Sequence, residues 1–384
     1  MKILYYTHPY FGDCDFPLIK SLRAKGHKVT VVYTMSPHSL STTIFDIKHI
    51  KPDNGIFPIS IYKDLQWFES YLSLNDIYVA NEPTGKFGWS SLKLSFKVLN
   101  FFRKGKYDVI NYIETPSLFH FIPLWFFRKK LVITIHDGKP HSGAGNWKSR
   151  LCRIVSKLYI KKYIVLNKSE VDVFAHEYAI NRNRIHTSHL GYYDILRAYG
   201  NIDKQKEKYI LFFGRISKYK GIEYLLEAMK IVHEKHPDVK VIIAGKGDFY
   251  FDISHYTEFD YVEIRNYYIG LSELSDLIRG ALISVCPYTD ATQSGVVNSS
   301  FALNTPVIAT KVGGLPEMIE DGKTGIIIPP KNIEALSSAI ISCLDNPERI
   351  KIMSENIKKS AEYGIGSWDN IADEYIRIYT DPID

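Results

Sequence analysis

Arg215 and Lys220 are the residues whose type and spacing point most directly to chemistry. They sit in the run Gly214-Arg-Ile-Ser-Lys-Tyr-Lys-Gly221, between an apolar, aromatic stretch at 209–213 and a segment placing Ile222, Leu225, Leu226, Met229 and Val232 at helical spacing. The pattern predicts a buried strand, a break at Gly214 and a helix beginning near Gly221. The connecting loop then lies at the carboxyl end of a strand and the amino end of a helix, where ligands of open α/β sheets bind. Unpaired N–H groups and the helix dipole favour an anion there, and two fixed cations add charge-assisted hydrogen bonds of roughly 1.5–3 kcal/mol each. A diphosphate suits that geometry. Taken alone, such a pair reads more readily as two solvated loop charges; the residues downstream reverse that preference.

The elements that must position these residues alternate between strand and helix. Strands are expected at 2–7, 29–33, 107–112, 130–135 and 163–166, with Asp15 and Pro17 marking a helix start and Gly26 its end. Residues 36–91, rich in aromatics, Ser and Asn, predict irregular excursions with one or two strands. The polar, aperiodic stretch 196–208 reads as a linker. A second series follows: strand 209–213, helix to His236, strands 239–244 and 262–264, helix 272–280, strand 282–286, helix 295–303 and strand 306–310. The expected class is α/β, with two Rossmann-like, doubly wound parallel-sheet domains at 1–195 and 209–366 facing across a cleft. A terminal amphipathic helix at 367–384 is expected to cross back onto the first domain.

At 384 residues the chain exceeds the usual size of one domain. Its start turns polar by Thr7-His8, too soon for a signal peptide, and the greasy stretch 118–127 is too short to span a bilayer. A cytoplasmic location is expected. Cys14, Cys152, Cys286 and Cys343 lack paired spacing, which argues against a disulfide framework or a zinc site. The net charge of +6 hides an asymmetry: residues 1–200 carry 28 Lys/Arg against 15 Asp/Glu, and 201–384 carry 20 against 27. Basic residues flank aromatics at 96–106 and 119–130. A protein resting on an anionic leaflet, or one gripping an acidic acceptor, uses that pattern, as does a core helix with solvated ends. No nucleic-acid motif accompanies the charge, so nucleic acid is not an expected partner. Asp13-Cys-Asp15 could in principle hold a metal, but in a first strand-to-helix loop Asp15 is better explained as a helix cap. No metal site is expected.

Downstream, Thr292-Gln-Ser-Gly-Val296, Pro306-Val-Ile-Ala-Thr310, Gly313-Gly-Leu-Pro-Glu317 and Asp321-Gly-Lys-Thr-Gly325 follow the Gly-Arg and Lys-Gly pairs in order. This succession resembles the retaining glycosyltransferases of family 4, which have the GT-B fold. The resemblance is dense from 209 to 330. In the first half it rests on Gly12, Gly26-His-Lys-Val-Thr-Val-Val32, Asp108-Val-Ile110, His136-Asp137 and Leu190-Gly-Tyr-Tyr-Asp194. It implies that Arg215 and Lys220 hold the diphosphate of a nucleotide sugar without a metal cofactor. Ser294, Gly295 and Val296 would offer backbone N–H groups at a helix opening, with Gly214, Thr292 and Gln293 in the same donor site. Gly12 would let the first loop approach the donor phosphates. His136 would lie near the sugar, oriented by Asp137.

The family usually carries two glutamates eight positions apart before the Pro-Val motif; those places hold Ala291 and Ser299 here, and a customary glycine is Asn304. Ser299 can hydrogen-bond but cannot grip two ribose hydroxyls as a carboxylate does, and Asp290 is the candidate substitute for the first glutamate. The implied reaction moves a hexose or related sugar onto a glycan or lipid-linked acceptor, in cell-surface polysaccharide or glycolipid synthesis. It would take place in the cytoplasm or on the inner face of the cell membrane. Two other readings share the sequence: a nucleotide-sugar epimerase on the same scaffold, and a catalytically silent binding protein, which Ala291 and Ser299 favour.

Overall fold

The computed structural model describes residues 1–40, 42, 44–84, 88–114, 120–136, 147–291 and 294–381, with the backbone alone for 147–150. They form two compact units, Met1–Leu190 with Trp368–Asp384, and Gly191–Ser367.

The first unit opens with β1 (Lys2–Thr7), α1 (Gly12–Ala24) and β2 (Lys28–Met35), followed by β3 (Gly55–Pro58) and β4 (Ile77–Asn81). Next come α2 (Trp89–Gly105), β5 (Val109–Ile113), α3 (Phe121–Phe126), β6 (Leu131–Ile135), α4 (Trp147–Ser156), β7 (Lys162–Val165), α5 (Val171–Tyr178) and β8 (Ile185–Thr187). The sheet order is β3-β4-β2-β1-β5-β6-β7-β8, and only the β3/β4 pair is antiparallel. Strands β5 and β6 are buried at every position, as a parallel sheet covered on both faces requires. On one face Leu94, Val98 and Phe102 of α2, Leu124 of α3 and Phe174 of α5 join Tyr6, Tyr112 and Tyr163 of the sheet in one core. Tyr6 stacks on Tyr112 with centroids 5.2 Å apart, and Phe102 meets Tyr6 edge-on at 5.7 Å.

The second unit runs β9 (Tyr209–Phe213), α6 (Ile222–Lys235), β10 (Lys240–Ala244), α7 (Ser254–Thr257), β11 (Val262–Arg265), α8 (Leu271–Gly280), β12 (Ile283–Cys286) and α9 (Gly295–Ala302). It ends with β13 (Val307–Thr310), α10 (Leu315–Met318), β14 (Gly325–Ile328), α11 (Ile333–Leu344) and α12 (Pro347–Tyr363). All six strands are parallel, in the order β11-β10-β9-β12-β13-β14. The stretch 196–208, expected as a linker, lies inside this unit. Ile195 and Leu196 are buried, Ser275 Oγ donates to Leu196 O at 3.0 Å, and Arg197 Nε donates to Ala302 O at 2.7 Å. Lys206 Nζ donates to Ala281 O at 2.7 Å and to Thr305 Oγ1 at 3.0 Å. Arg197 and Lys206 thus tie the stretch to neighbouring elements, while most of its other side chains are exposed.

The last helix, α13 (Trp368–Thr380), belongs to the first unit. It lies against α1, where Ser21 Oγ donates to Asp369 and Lys25 pairs with Asp373 at 2.8 Å. Lys162, 3% exposed, donates to Ile378 O at 2.6 Å and Asp381 O at 2.7 Å, and so satisfies carbonyls at the helix end.

Asp15 does not cap α1. The helix begins at Gly12, and Asp15 is fully buried one turn in, accepting from Tyr5 Oη at 2.8 Å and Thr7 Oγ1 at 2.7 Å. Burial holds its carboxyl well above the usual range. Among the described residues no group of three or more His, Cys, Asp or Glu is placed to hold a metal ion.

Candidate active site

The second unit builds its site from the carboxyl ends of β9, β10 and β12. Gly214 ends β9 with φ +118° and donates its N–H to Ala244 O at 2.9 Å. At Gly245, φ +151°, a Cβ would fall 1.9 Å from Gly214 O, so the two strand ends pass backbone against backbone at a spacing that only glycine allows. The chain then turns through Lys218–Lys220 to Gly221, φ +65°, where a Cβ would lie 2.1 Å from Pro287 O. Thr289 N donates to Tyr219 O at 2.8 Å, which fastens this turn to the segment after β12.

The turn buries Lys220. Its side chain is 9% exposed, and Nζ sits 3.8 Å from the centroid of the Tyr288 ring and 5.1 Å from that of Tyr219. No carboxylate and no hydrogen-bond acceptor among the described residues meets the ammonium. Lys162, also buried, has two carbonyls; among the described residues Lys220 has the aromatic faces of Tyr288 and Tyr219, whose attraction offsets part of the desolvation. Burial, aided by Arg215 and opposed by Cys286, lowers its pKa from 10.5 to about 8. Arg215 is exposed and makes no hydrogen bond or ion pair among the described residues.

The amino end of α9 completes the cradle. Ser294 is the N-cap residue, but its side chain does not cap the helix; its Oγ lies 3.2 Å from Tyr288 Oη. The N–H groups of Gly295 and Val296 therefore have no intrahelical partner. A Cβ on Gly214 would lie 3.5 Å from Val296 Cγ2, which places the first turn of α9 beside the residue preceding Arg215. Lys220, through Tyr288 and Ser294, reaches the same helix end. Two cations and a helix amino terminus thus share one corner, an arrangement with the charge and the free N–H groups that an anion would need.

Ser299 is buried one turn further along α9, with no hydrogen-bond partner for its hydroxyl among the described residues. Asp290 is exposed and unpaired among the described residues, and Ala291 is half-buried. Thr292, Gln293 and, in the first unit, Asp137 lie outside the described residues. Asn304, where the family has glycine, takes φ +58°; Asn tolerates that left-handed conformation better than most residues with a Cβ. Sequence reasoning missed Tyr288 and Tyr219, the aromatic walls around Lys220. The signal was there in Tyr219-Lys220 and Pro287-Tyr288, but nothing in the one-dimensional pattern says that the two tyrosines face one ammonium.

In the first unit His136 follows β6. It is buried and stacked on Phe11, with centroids 4.1 Å apart, and burial lowers its pKa to about 3. Its backbone N–H donates to Glu114 Oε1 at 2.7 Å, and Glu114 Oε2 accepts from Arg153 Nη2 at 3.2 Å. Glu114 holds φ +67°, a conformation uncommon for a residue with a Cβ. Gly12, expected in a loop, is instead the first residue of α1. The space a Cβ would need is taken by Phe45 Cε2 at 2.5 Å and Ile44 Cδ1 at 2.7 Å, so packing accounts for the missing side chain.

A model of the glycosyl transferases group 1 matches residues 199–360, and one of Glycosyltransferase Family 4 matches residues 17–192. An uncharacterized glycosyltransferase of Methanocaldococcus jannaschii is 34% identical over 185 residues, covering 45% of this chain and 45% of that protein. Alpha-D-kanosaminyltransferase of Streptomyces kanamyceticus is 30% identical over 176 residues, covering 44% and 45%. The chain thus spans just under half the length of these relatives. HepE of Anabaena, crystallised with UDP, superposes with a TM-score of 0.64 at 17% identity, over 98% of this chain and 99% of that one. Sucrose-phosphate synthase of Thermosynechococcus elongatus gives 0.68 at 18% identity, over 99% and 98%. With one model matching most of each unit and two parallel α/β sheets of this topology, the chain belongs to the group 1, family 4 glycosyltransferases of the GT-B fold.

Proposed function

We propose that this chain transfers a hexose or related sugar from a nucleoside diphosphate sugar to a hydroxyl of a glycan or lipid-linked acceptor, with retention at the anomeric carbon. The observation that carries the reading is Lys220, a buried ammonium with no anionic partner among the described residues, beside Arg215 and the amino end of α9. Family membership supports the reaction class, and HepE, crystallised with UDP-glucose, makes uridine nucleotides the first donors to try.

In this reading Arg215, Lys220 and the N–H groups of Gly295 and Val296 bind the diphosphate. The bond between the anomeric carbon and the β-phosphate oxygen breaks with its electron pair moving to the phosphate. The acceptor oxygen bonds to the same face of that carbon, and its proton passes to the departing phosphate oxygen. Donors placed where the leaving group gains charge stabilise the transition state more than the ground state. Ser299 offers a ribose hydroxyl one hydrogen bond, and the first unit supplies the acceptor side, with His136 as a neutral imidazole.

Incubating the protein with a panel of nucleotide sugars, with and without candidate acceptor glycans, tests this by release of nucleoside diphosphate. Arg215→Ala is expected to lower kcat about 100-fold with the circular dichroism spectrum unchanged. Donor isomerised without acceptor would indicate an epimerase. Ala291 and Ser299 favour a silent binding protein as the second reading, and failure to bind both uridine and guanosine diphosphates in calorimetry would select it.

A further inference from the structure

The first unit carries a surface that the transfer chemistry does not use. Between Glu82 and Glu170 the sequence holds seventeen Lys or Arg and three acids, Asp108, Glu114 and Asp137. The helices of this region, α2, α3 and α4, precede β5, β6 and β7 in turn. Helix α2 buries Leu94, Val98 and Phe102. Its opposite side exposes Trp89, Lys93, Phe96, Asn100, Arg103 and Lys104, a spacing that lines up along one helix face. Trp89 is 80% exposed and Phe96 54%. The face is aromatic and cationic by turns, without an acid.

Two neighbours extend it. Helix α3 packs against α2, with the Phe102 and Phe127 rings 5.7 Å apart, and exposes Phe126 at 66% beside Trp125 at 43%. Arg128 lies over the Trp125 ring at 5.0 Å, and Lys129 is exposed next to it. Tyr159, just after α4, meets Trp125 edge-on at 5.7 Å, and there Leu158 stands 75% exposed. Lys93, Arg103, Lys104, Arg128 and Lys129 have no acidic partner among the described residues.

We propose that this face of α2 and α3, continued at Leu158, seats the protein on an anionic lipid surface. Large aromatic rings beside lysines and arginines match the boundary between acyl chains and charged head groups, where the rings enter and the long cationic side chains reach back to phosphate. A protein partner fits less well, because interface cores are depleted in Lys and this face alternates Lys with aromatics. A second copy fits worst, because a two-fold contact through the same face would set cation against cation. Among the described residues no helix is long and apolar enough to cross a membrane, so the contact made by these helices is peripheral.

The test needs no sugar substrate, so its outcome is separable from that of the transfer reaction. The whole chain is sedimented with phosphatidylcholine vesicles, with and without phosphatidylglycerol, across a range of salt. The expectation is partition onto the anionic vesicles only, weakening as salt shortens the Debye length from about 10 Å toward 3 Å. The triple variant Arg103→Gln, Lys104→Gln, Lys129→Gln is expected to lower the partition coefficient about 100-fold, near 5-fold for each cation removed. Brominated lipid is expected to quench tryptophan fluorescence, and Trp89→Phe with Trp125→Phe to abolish the quenching, with circular dichroism confirming that each variant is folded. Equal retention on neutral vesicles, or full retention of the folded triple variant, would overturn the proposal. So would a lipid-free dimer that the same variants dissociate, or retention on an acidic polysaccharide without quenching by brominated lipid.

Discussion

Replacing Lys220 with methionine separates the energetics of the site from those of the fold. The lysine pKa falls from 10.5 to about 8, chiefly by burial. At about 1.4 kcal/mol per pH unit, keeping the charged form in the folded protein costs about 3 kcal/mol at pH 7. The contact with Tyr288 at 3.8 Å gives back up to about 2 kcal/mol. Methionine removes both terms and keeps the volume, so Lys220→Met is expected to be about 1 kcal/mol more stable than the parent at pH 7. Because the folded pKa lies below the unfolded one, the unfolded chain binds more protons between pH 8 and 10.5. The parent therefore gains stability relative to the variant as pH rises through that window, and its penalty is fully present below pH 8. Urea midpoints of the two proteins at pH 7 and pH 10 read the difference. Uridine or guanosine diphosphate, whichever binds, at about 100 times Kd is expected to stabilise the parent by about 2.7 kcal/mol and the variant hardly at all. A variant less stable than the parent at pH 7, yet still stabilised by nucleotide, would refute the claim that an unpaired charge is held there for an anion.

Gly221→Ala is expected to lose more than about 3 kcal/mol and weaken nucleotide binding, since left-handed φ costs about 1–2 kcal/mol and the new Cβ would meet Pro287 O at 2.1 Å. Gly26→Ala, with φ +82° and nothing within 4 Å, is the control and is expected to lose the backbone cost alone, read by urea unfolding. His136→Ala is expected to lower kcat by about 100-fold while leaving calorimetric nucleotide affinity unchanged. Because burial pushes the imidazole down to about 3, it stays neutral above pH 4, and the kcat profile is expected to show no step near 6.5.

The buried parallel strands were legible because their apolar runs have nothing else to do: 2–7 and 209–213 match β1 and β9 residue for residue. The short β8 escaped, since three residues carry too little pattern, and so did β14. Residues 196–208 misled because polarity looks the same whether a side chain is solvated or, like Arg197 and Lys206, bonded to a carbonyl of the next element. Asp15 misled for the related reason that Asp near a helix start reads as a cap, whereas Tyr5 and Thr7 hold it inside the helix. At the site, Arg215, Lys220 and the start of α9 were visible as charge and glycine placement. The tyrosines that wall in Lys220 required the third dimension, because Tyr219 and Tyr288 are far apart in the chain.

Helix α13 gives the molecule an unusual order of assembly. The first unit is discontinuous and the second is an insertion within it, so a nascent chain finishes the inserted body before the host body has all its parts. Until Trp368–Thr380 leaves the ribosome, the α1 surface around Ser21 and Lys25 has no cover, and Lys162 has no carbonyls to bond. The first unit can therefore be completed only after the second has been synthesised.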